Sequence, residues 1–521
     1  MHPRFSVVIP TRERAATLPY TLRTCLDQDF DDYEIVVCDN HSSPATRAVV
    51  DAVRHPRIRY VRAPHPLAMS DNWELAVEHA RGEYVTVLGD DDALLSHALG
   101  EVDRVIARTG ARAIRWVVAF YTWPAVALEG EGNYLGVPLM RELHTVDAVT
   151  ALDAVIGFRE SYGYLPMLYN GVIHRDLIAE LRQKTGRVFR SPIPDIYSGM
   201  AFAYLAGSYV SLDVPMAVSG ISGTSNGVAN MLVRGPTPVA EEFRRLNAAT
   251  GLRTHPHVPD LSPVVPLAAA VADSFQHAKD ALFPTDNRLT LDRRLLAEKC
   301  VQSLWAPDEG TWQTRLGRIR ATFADDPDAQ AWFDREHANA PFRPAPPPAR
   351  AVTRPPGYDG SQLHLRADAF GVTDVAGAAR LCEQILGARG APVAYDLPGL
   401  PWLNSHIARL HEQLAVSEAD RAARLEVIHT LNENLIASEA DRAERLRLIH
   451  TLNADLIASV ADRAAQAERI RLLEARISAE RPPERRPPGR IESSLGWLRR
   501  APSRALRWLA GGLTPTPQTR S

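Results

Sequence analysis

Lysine is nearly absent from this chain. Its 521 residues include only Lys184, Lys279 and Lys299, so almost all positive charge is arginine. The formal net charge of -3 argues against a dedicated nucleic-acid binder. Cysteine is scarce as well. Cys25, Cys38, Cys300 and Cys382 do not pair at metal-ligand spacing and are too few for a disulfide framework. A reducing, cytosolic compartment is the expectation. No apolar run approaches the ~18 residues of a spanning helix, so membrane contact is expected to be peripheral at most. The start, "MHPRFSVVIP", lacks a basic segment followed by a long apolar stretch and does not read as a signal peptide.

What is present reads first as alternating strands and helices. "FSVVIP" (5–10), "YEIVVCD" (33–39), "IRYVRA" (58–63) and "YVTVLG" (84–89) are short apolar runs. Between them lie segments of helical spacing at 15–28, 42–53 and 70–82, and another follows at 96–109. This order predicts an α/β layer with a mainly parallel central sheet, whose ligands bind beyond the carboxyl ends of the strands. Three of those ends carry polar motifs: "PTRER" (10–14), "DNHSS" (39–43) and "GDDD" (89–92). Adjacent carboxylates raise one another's pKa unless a cation neutralises them. A hard divalent ion, Mg²⁺ or Mn²⁺, is the natural guest of such a cluster, because it prefers carboxylate, water and phosphate oxygens. A helix-capping loop also uses Asp, but accounts for one carboxylate more readily than for three.

The α/β reading extends to residue 235, and 236–340 reads mostly helical. The Pro-rich stretch 341–357 predicts an extended linker, and 358–404 a small α/β unit. "SEADRAARLEVIHTLNENLIA" (417–437) recurs as "SEADRAERLRLIHTLNADLIA" (438–458), a period of 21 residues or three heptads. Residues 405–480 are therefore expected to form a coiled coil, with a homo-oligomer as the partner state; the alternative is a single solvated helix. The tail, 481–521, holds nine Arg and two Glu. Its segment 490–513 adds Trp497 and Trp508, which suggests a peripheral membrane contact at the inner face of a membrane; a disordered basic tail is the alternative.

The set "FSVVIPTRERAATLPYTLRTCLDQDFDDYEIVVCDNHSSPAT" and "DNWELAVEHARGEYVTVLGDDDALLSHAL" resembles the inverting family 2 glycosyltransferases of GT-A fold. The resemblance covers about residues 4–110, weakens to about 235 and does not reach the coiled coil. It implies a nucleotide-sugar donor, a UDP-sugar first, and a divalent metal cofactor. Asp39 matches the family's uracil-binding Asp, and Pro10, Thr11 and Glu13 lie where the family cradles base and ribose. Asn72 opens the helix-to-strand junction and joins the donor-binding set. Asp90 falls near the ribose, Asp91 at the main metal ligand, and Asp92 as a second ligand or a cap. Asp195, in "SPIPDIYSGM", matches the catalytic base that takes the proton of an acceptor hydroxyl. The chain departs from the family pattern at Cys38, Gly89 and Pro194, where acidic residues are usual. The Gly- and Ser-rich "SGISGTSNG" (219–227) resembles a mobile segment near the donor phosphates. The processive Gln-x-x-Arg-Trp signature is absent from 205–340, which implies transfer of one sugar. Acceptors implied are a carbohydrate or lipid-linked hydroxyl in surface polysaccharide, glycolipid or glycoprotein synthesis. Two other classes stand beside this one: a non-catalytic coiled-coil scaffold, and a sugar nucleotidyltransferase, which would want a Gly-rich loop where "PTRERAATL" has no Gly.

Overall fold

The computed structural model describes residues 2–387, apart from 127–131, 141, 226–236, 263–264 and 345–355. It also describes 444–472, apart from 446, 449, 453, 457 and 460. The elements of the first part run β1 (Phe5–Thr11), α1 (Leu18–Leu26), β2 (Tyr33–Asp39), α2 (Pro44–Val53), β3 (Ile58–Arg62), α3 (Met69–Glu78) and β4 (Tyr84–Val87). Then come β5 (Ala93–Leu94), α4 (Ala98–Thr109), β6 (Ala113–Thr122), β7 (Tyr134–Pro138), β8 (Leu143–Asp147), α5 (Ala148–Ile156), β9 (Gly171–His174), α6 (Arg175–Thr185), α7 (Pro194–Ala206) and β10 (Ser208–Ile221).

The expected parallel sheet is formed by β3, β2, β1 and β4, paired parallel in that order. Beyond β4 the sheet is mixed: β9 runs antiparallel to β4 and β6, while β10 runs parallel to β6. Burial explains why these runs are strands. Along β1, Val7 and Ile9 enter the core under α1 and α4, while Val8 enters the core on the opposite face. An apolar side chain on both faces is what a strand covered by helices on both sides requires.

Five helices follow: α8 (Pro238–Thr250), α9 (Leu267–Leu282), α10 (Arg293–Ser303), α11 (Glu309–Ala321) and α12 (Pro327–His337). Three start locally, because Asp292, Asp308 and Asp326 accept backbone N–H bonds at the first turns of α10, α11 and α12. Buried Trp312 of α11, Phe333 of α12 and Phe323 between them join the core that also holds Tyr197 and Phe202 of α7. The helical region therefore continues the α/β core.

Residues beyond the Pro-rich stretch behave differently from expectation. β11 (Gly357–Tyr358) and β12 (Gln362–Arg366) extend the main sheet through β7, and α13 (Val375–Leu386) packs over β5, β6 and β7. Leu363, Leu365 and Phe370 share a core with Tyr121 and Val218. This segment is thus part of the first unit, Met1–Leu414, and not a small domain of its own. The second unit, Ala415–Ser521, is described only within 444–472, where the described residues are helical and exposed. Most of the expected coiled coil and all of the basic tail lie outside the described residues.

Candidate functional site

The parallel register of β1, β2 and β4 brings their carboxyl ends to one rim, where Thr11 sits beside Asp39. β10 ends at the same place, because Gly220 donates its N–H to Asp92 Oδ1 at 2.7 Å. No side chain fits at Gly220: a Cβ there would lie 1.8 Å from the Asp91 carbonyl oxygen. Gly220→Ala is expected to lower unfolding free energy by about 3 kcal/mol, through forced separation of β10 from the acidic turn. Urea denaturation of the purified variant checks it.

The three carboxylates of "GDDD" have separate environments. Asp92 points inward and is 1% exposed. Its Oδ2 accepts the Tyr169 hydroxyl at 2.8 Å and the Gly89 N–H at 3.0 Å, while Oδ1 takes Gly220. Burial, with the Asp91 charge beside it, pushes its pKa up to about 8 against these donors. Both oxygens are engaged within the protein, and these bonds tie the turn after β4 to β10. Asp91 faces the other way. Its Oδ2 accepts the hydroxyls of Ser222 and Ser225, each at 2.6 Å. Asp90 lies beside β1, with Arg14 Nε at 3.3 Å from its Oδ1 and the Arg12 N–H at 3.4 Å from its Oδ2. Burial raises its pKa to about 6, against the pull of Arg14.

At the end of β2, Asp39 is fully buried. Oδ1 accepts the Ser42 N–H at 2.9 Å, and Oδ2 accepts Arg62 Nη1 at 2.9 Å and the Tyr60 hydroxyl. Pro10 lies within β1 and Thr11 is buried at its end. Glu13 turns away to α2: its carboxylate accepts the Ser43 N–H at 2.7 Å and the Ser43 hydroxyl at 2.8 Å. Asn72 is buried in α3, its Oδ1 3.5 Å from Cys38 Sγ. These contacts give Glu13 and Asn72 structural work at the edges of the rim.

Asp195 stands in the first turn of α7, after Pro194. Its Oδ1 is buried with no hydrogen-bond partner, and burial raises its pKa above the ordinary value. Short links join α7 to the acidic turn. The Ser198 hydroxyl accepts the Leu168 N–H at 3.3 Å, the Leu168 carbonyl accepts the Val87 N–H at 2.7 Å, and Tyr169 reaches Asp92. The loop before α7 is held by Ser191, whose hydroxyl lies 3.2 Å from that of Ser274 on α9 and whose carbonyl accepts the Ser70 hydroxyl at 2.5 Å.

Glu142, His144 and Asp213 also converge, with ligand atoms within 4.8 Å of one another. Asp213 already pairs with Arg115 at 2.9 Å, which supplies the balancing charge. Asp213 lies at an irregularity of β10, between Leu212 and Ala217, seven positions before Gly220, so this group is not part of the rim. Sequence reasoning missed Arg12, Arg14, Ser222, Ser225 and Tyr169. The two arginines lay within "PTRER", and the two serines lay within the Gly- and Ser-rich segment already singled out.

The fold and rim define an α/β domain with an acidic, arginine-flanked site at the ends of parallel strands. Residues 6–122 match the model of glycosyl transferase family 2. Over 100 residues it is 38% identical to the GalNAc(5)-diNAcBac-PP-undecaprenol beta-1,3-glucosyltransferase of Campylobacter jejuni, spanning 19% of this chain and 32% of that one. Over 128 residues it is 27% identical to the succinoglycan biosynthesis protein ExoO of Rhizobium meliloti, spanning 25% of this chain and 35% of that one. The matches thus span about a third of the length of these curated relatives. Among solved structures, S. aureus TarS 1–349 in complex with UDP-GlcNAc is 16% identical, with a TM-score of 0.40, covering 63% of this chain and 83% of that one.

Proposed function

We propose that the chain transfers one sugar, with inversion, from a nucleoside-diphosphate sugar to an acceptor hydroxyl. A UDP-sugar is the donor this reading favours. The observation that carries it is the presence of two carboxylates in unlike settings. Asp91 presents an oxygen at the strand rim among hydroxyls, and Asp195 holds a buried carboxylate oxygen without a partner. Asp195 takes the proton of the acceptor hydroxyl as its oxygen attacks the anomeric carbon. Asp39 and Arg62 lie where the nucleobase would be read, and Asp90 where the ribose would lie. The donor set at Asp91 is oxygen only, which suits Mn²⁺ or Mg²⁺ held by Asp91 with Asp90 beside it. When bound, that ion supplies stabilisation of the charge growing on the departing diphosphate.

The Campylobacter relative is named for an undecaprenol-linked substrate, and the Rhizobium one for succinoglycan biosynthesis. They support a lipid-linked or surface-polysaccharide acceptor, with glycolipid and glycoprotein hydroxyls in the same class. No helix of the described residues is long and apolar enough to cross a membrane. In this reading, the basic, Trp-bearing segment 490–513 would give peripheral contact with a lipid-linked acceptor at the inner, cytoplasmic face. Leu448, Leu452 and Leu456 are each about 60% exposed on their helix, which favours a second copy as the partner of the heptad repeat.

Thermal unfolding against a panel of nucleotides and nucleotide sugars, with and without Mn²⁺, tests the reading. A ligand of the native state at 100 times its Kd adds about 2.7 kcal/mol of stability. A Mn²⁺-dependent rise in Tm with one nucleoside diphosphate is the expected result. No shift with any nucleotide would leave the acidic turn a structural element and favour the scaffold.

A further inference from the structure

The two arginines of "PTRER" are held at the rim by anions and acceptors of the chain itself. Arg12 makes a forked pair with Glu242 of α8: Nη2 to Oε1 at 2.5 Å and Nε to Oε2 at 3.3 Å. Its Nη1 donates to the Asn40 carbonyl at 2.5 Å, and its backbone N–H faces Asp90. The guanidinium is thus fixed at the ends of β1 and β2 by Glu242 and Asn40, while the backbone N–H of the same residue faces the acidic turn. Arg14 pairs with Asp90 and donates to the Thr224 carbonyl. Ser222 and Ser225 close onto Asp91 from the same side.

The fork that grips a carboxylate also grips a phosphate, because both present two oxygens in one plane to two parallel N–H groups. Glu242 is therefore a chemical stand-in for a phosphate at this position. The helix that carries it is lightly held: Ala240 and Asn247 are its buried residues, and Glu242 itself is 38% exposed.

We infer that Arg12 is a ligand of the donor's diphosphate and that Glu242 occupies it in the donor's absence, so that donor binding exchanges the Glu242 contact for a phosphate contact and frees α8 from β1. The inference rests on the transferase reading and deepens it. It assigns Arg12 to the donor phosphates, and it makes Glu242 an internal competitor that sets donor affinity. A partly exposed ion pair is weak enough to be displaced by a diphosphate, and removing it should change affinity measurably without unfolding the chain.

The test is calorimetric titration of the full chain with UDP and GDP, each with Mn²⁺, and with uridine as the phosphate-free control. Wild type, Glu242→Gln, Arg12→Ala and the double variant are compared. Glu242→Gln is expected to bind the preferred nucleoside diphosphate about fivefold more tightly, the scale of one exposed ion pair. Uridine binding should not change. Arg12→Ala should bind the diphosphate more weakly, and adding Glu242→Gln to it should change nothing further, because the competitor has lost its target. Equal or weaker diphosphate binding by Glu242→Gln would overturn the inference. So would a gain that persists without Arg12, or one shared by uridine, since Glu242 would then be only a tether for α8. Those results leave the transferase reading intact. Failure of wild type to bind any nucleotide would overturn both.

Discussion

Asp91→Asn is expected to lower kcat about 10³-fold while the protein stays folded, because the rim loses the charged oxygen that would hold a divalent ion, an effect worth several kcal/mol. Asparagine keeps a carbonyl oxygen for the Ser222 and Ser225 hydroxyls, and Trp123 Nε1 still donates to the backbone carbonyl at 3.0 Å. The local structure therefore has reason to persist. Asp92→Ala is the informative contrast. It leaves the Gly89 and Gly220 N–H groups and the Tyr169 hydroxyl without their acceptor. Unpaired buried donors make it the less stable protein, by about 2–4 kcal/mol. Steady-state kinetics with varied Mn²⁺, run beside urea denaturation of both variants, separates the two aspartates. Equal loss of stability in both would remove the distinction drawn between them. Full activity of Asp91→Asn would remove Asp91 from the chemistry.

The second large effect belongs to Asp195. Asp195→Asn is expected to cut kcat by about 10²–10⁴-fold with little change in donor affinity, the range for loss of a general base. The pH dependence carries the sign. The working form is the ionised carboxylate, so activity falls as pH drops through the Asp195 pKa. Burial raises that pKa, so the acidic limb of the wild-type profile lies above the ordinary carboxylate value of 3.8. The limb should disappear in what activity the variant retains. Stability should move the other way. A carboxyl whose folded pKa is raised destabilises the native state as pH rises above its unfolded value, because the native state resists ionisation. Asp195→Asn removes that cost, so the variant should be at least as stable as wild type at pH 7. Lower activity with undiminished Tm would mark a group kept for chemistry; lower activity with a collapsed Tm would mark a structural one.

Much of this site was legible from the amino-acid order. Apolar runs ended by Pro10-Thr11, Asp39-Asn40 and Gly89-Asp90 placed three polar motifs at strand ends, and a parallel sheet puts such ends on one rim. The helical spacing after each strand made the parallel arrangement the expected one. Asp195 was expected at a helix start, and it stands in the first turn of α7. Each of these inferences uses a local period or a local breaker, and both act over a few residues.

The directions of adjacent side chains were not legible. Asp91 and Asp92 are neighbours of one residue type, yet one faces the rim and the other the core. Partners 77 to 134 residues away decide this: Tyr169 and Gly220 draw Asp92 inward, and Ser222 and Ser225 meet Asp91. The same holds for Glu13, which reads as a donor residue from its place after β1 but turns to the first turn of α2. It holds again for 358–404, of which residues to 387 are described. Two short strands and a helix read as a unit of their own, because alternation says that a strand exists and not which edge it will join. Strand pairing is a choice among all unpaired edges in the molecule, and β7 offered the one that buried Leu363 and Leu365. The order of residues determined the strands, the rim and the carboxylates on it. Long-range hydrogen bonding and edge pairing decided which carboxylate faces the site, because those energies depend on contacts that form only when distant segments meet.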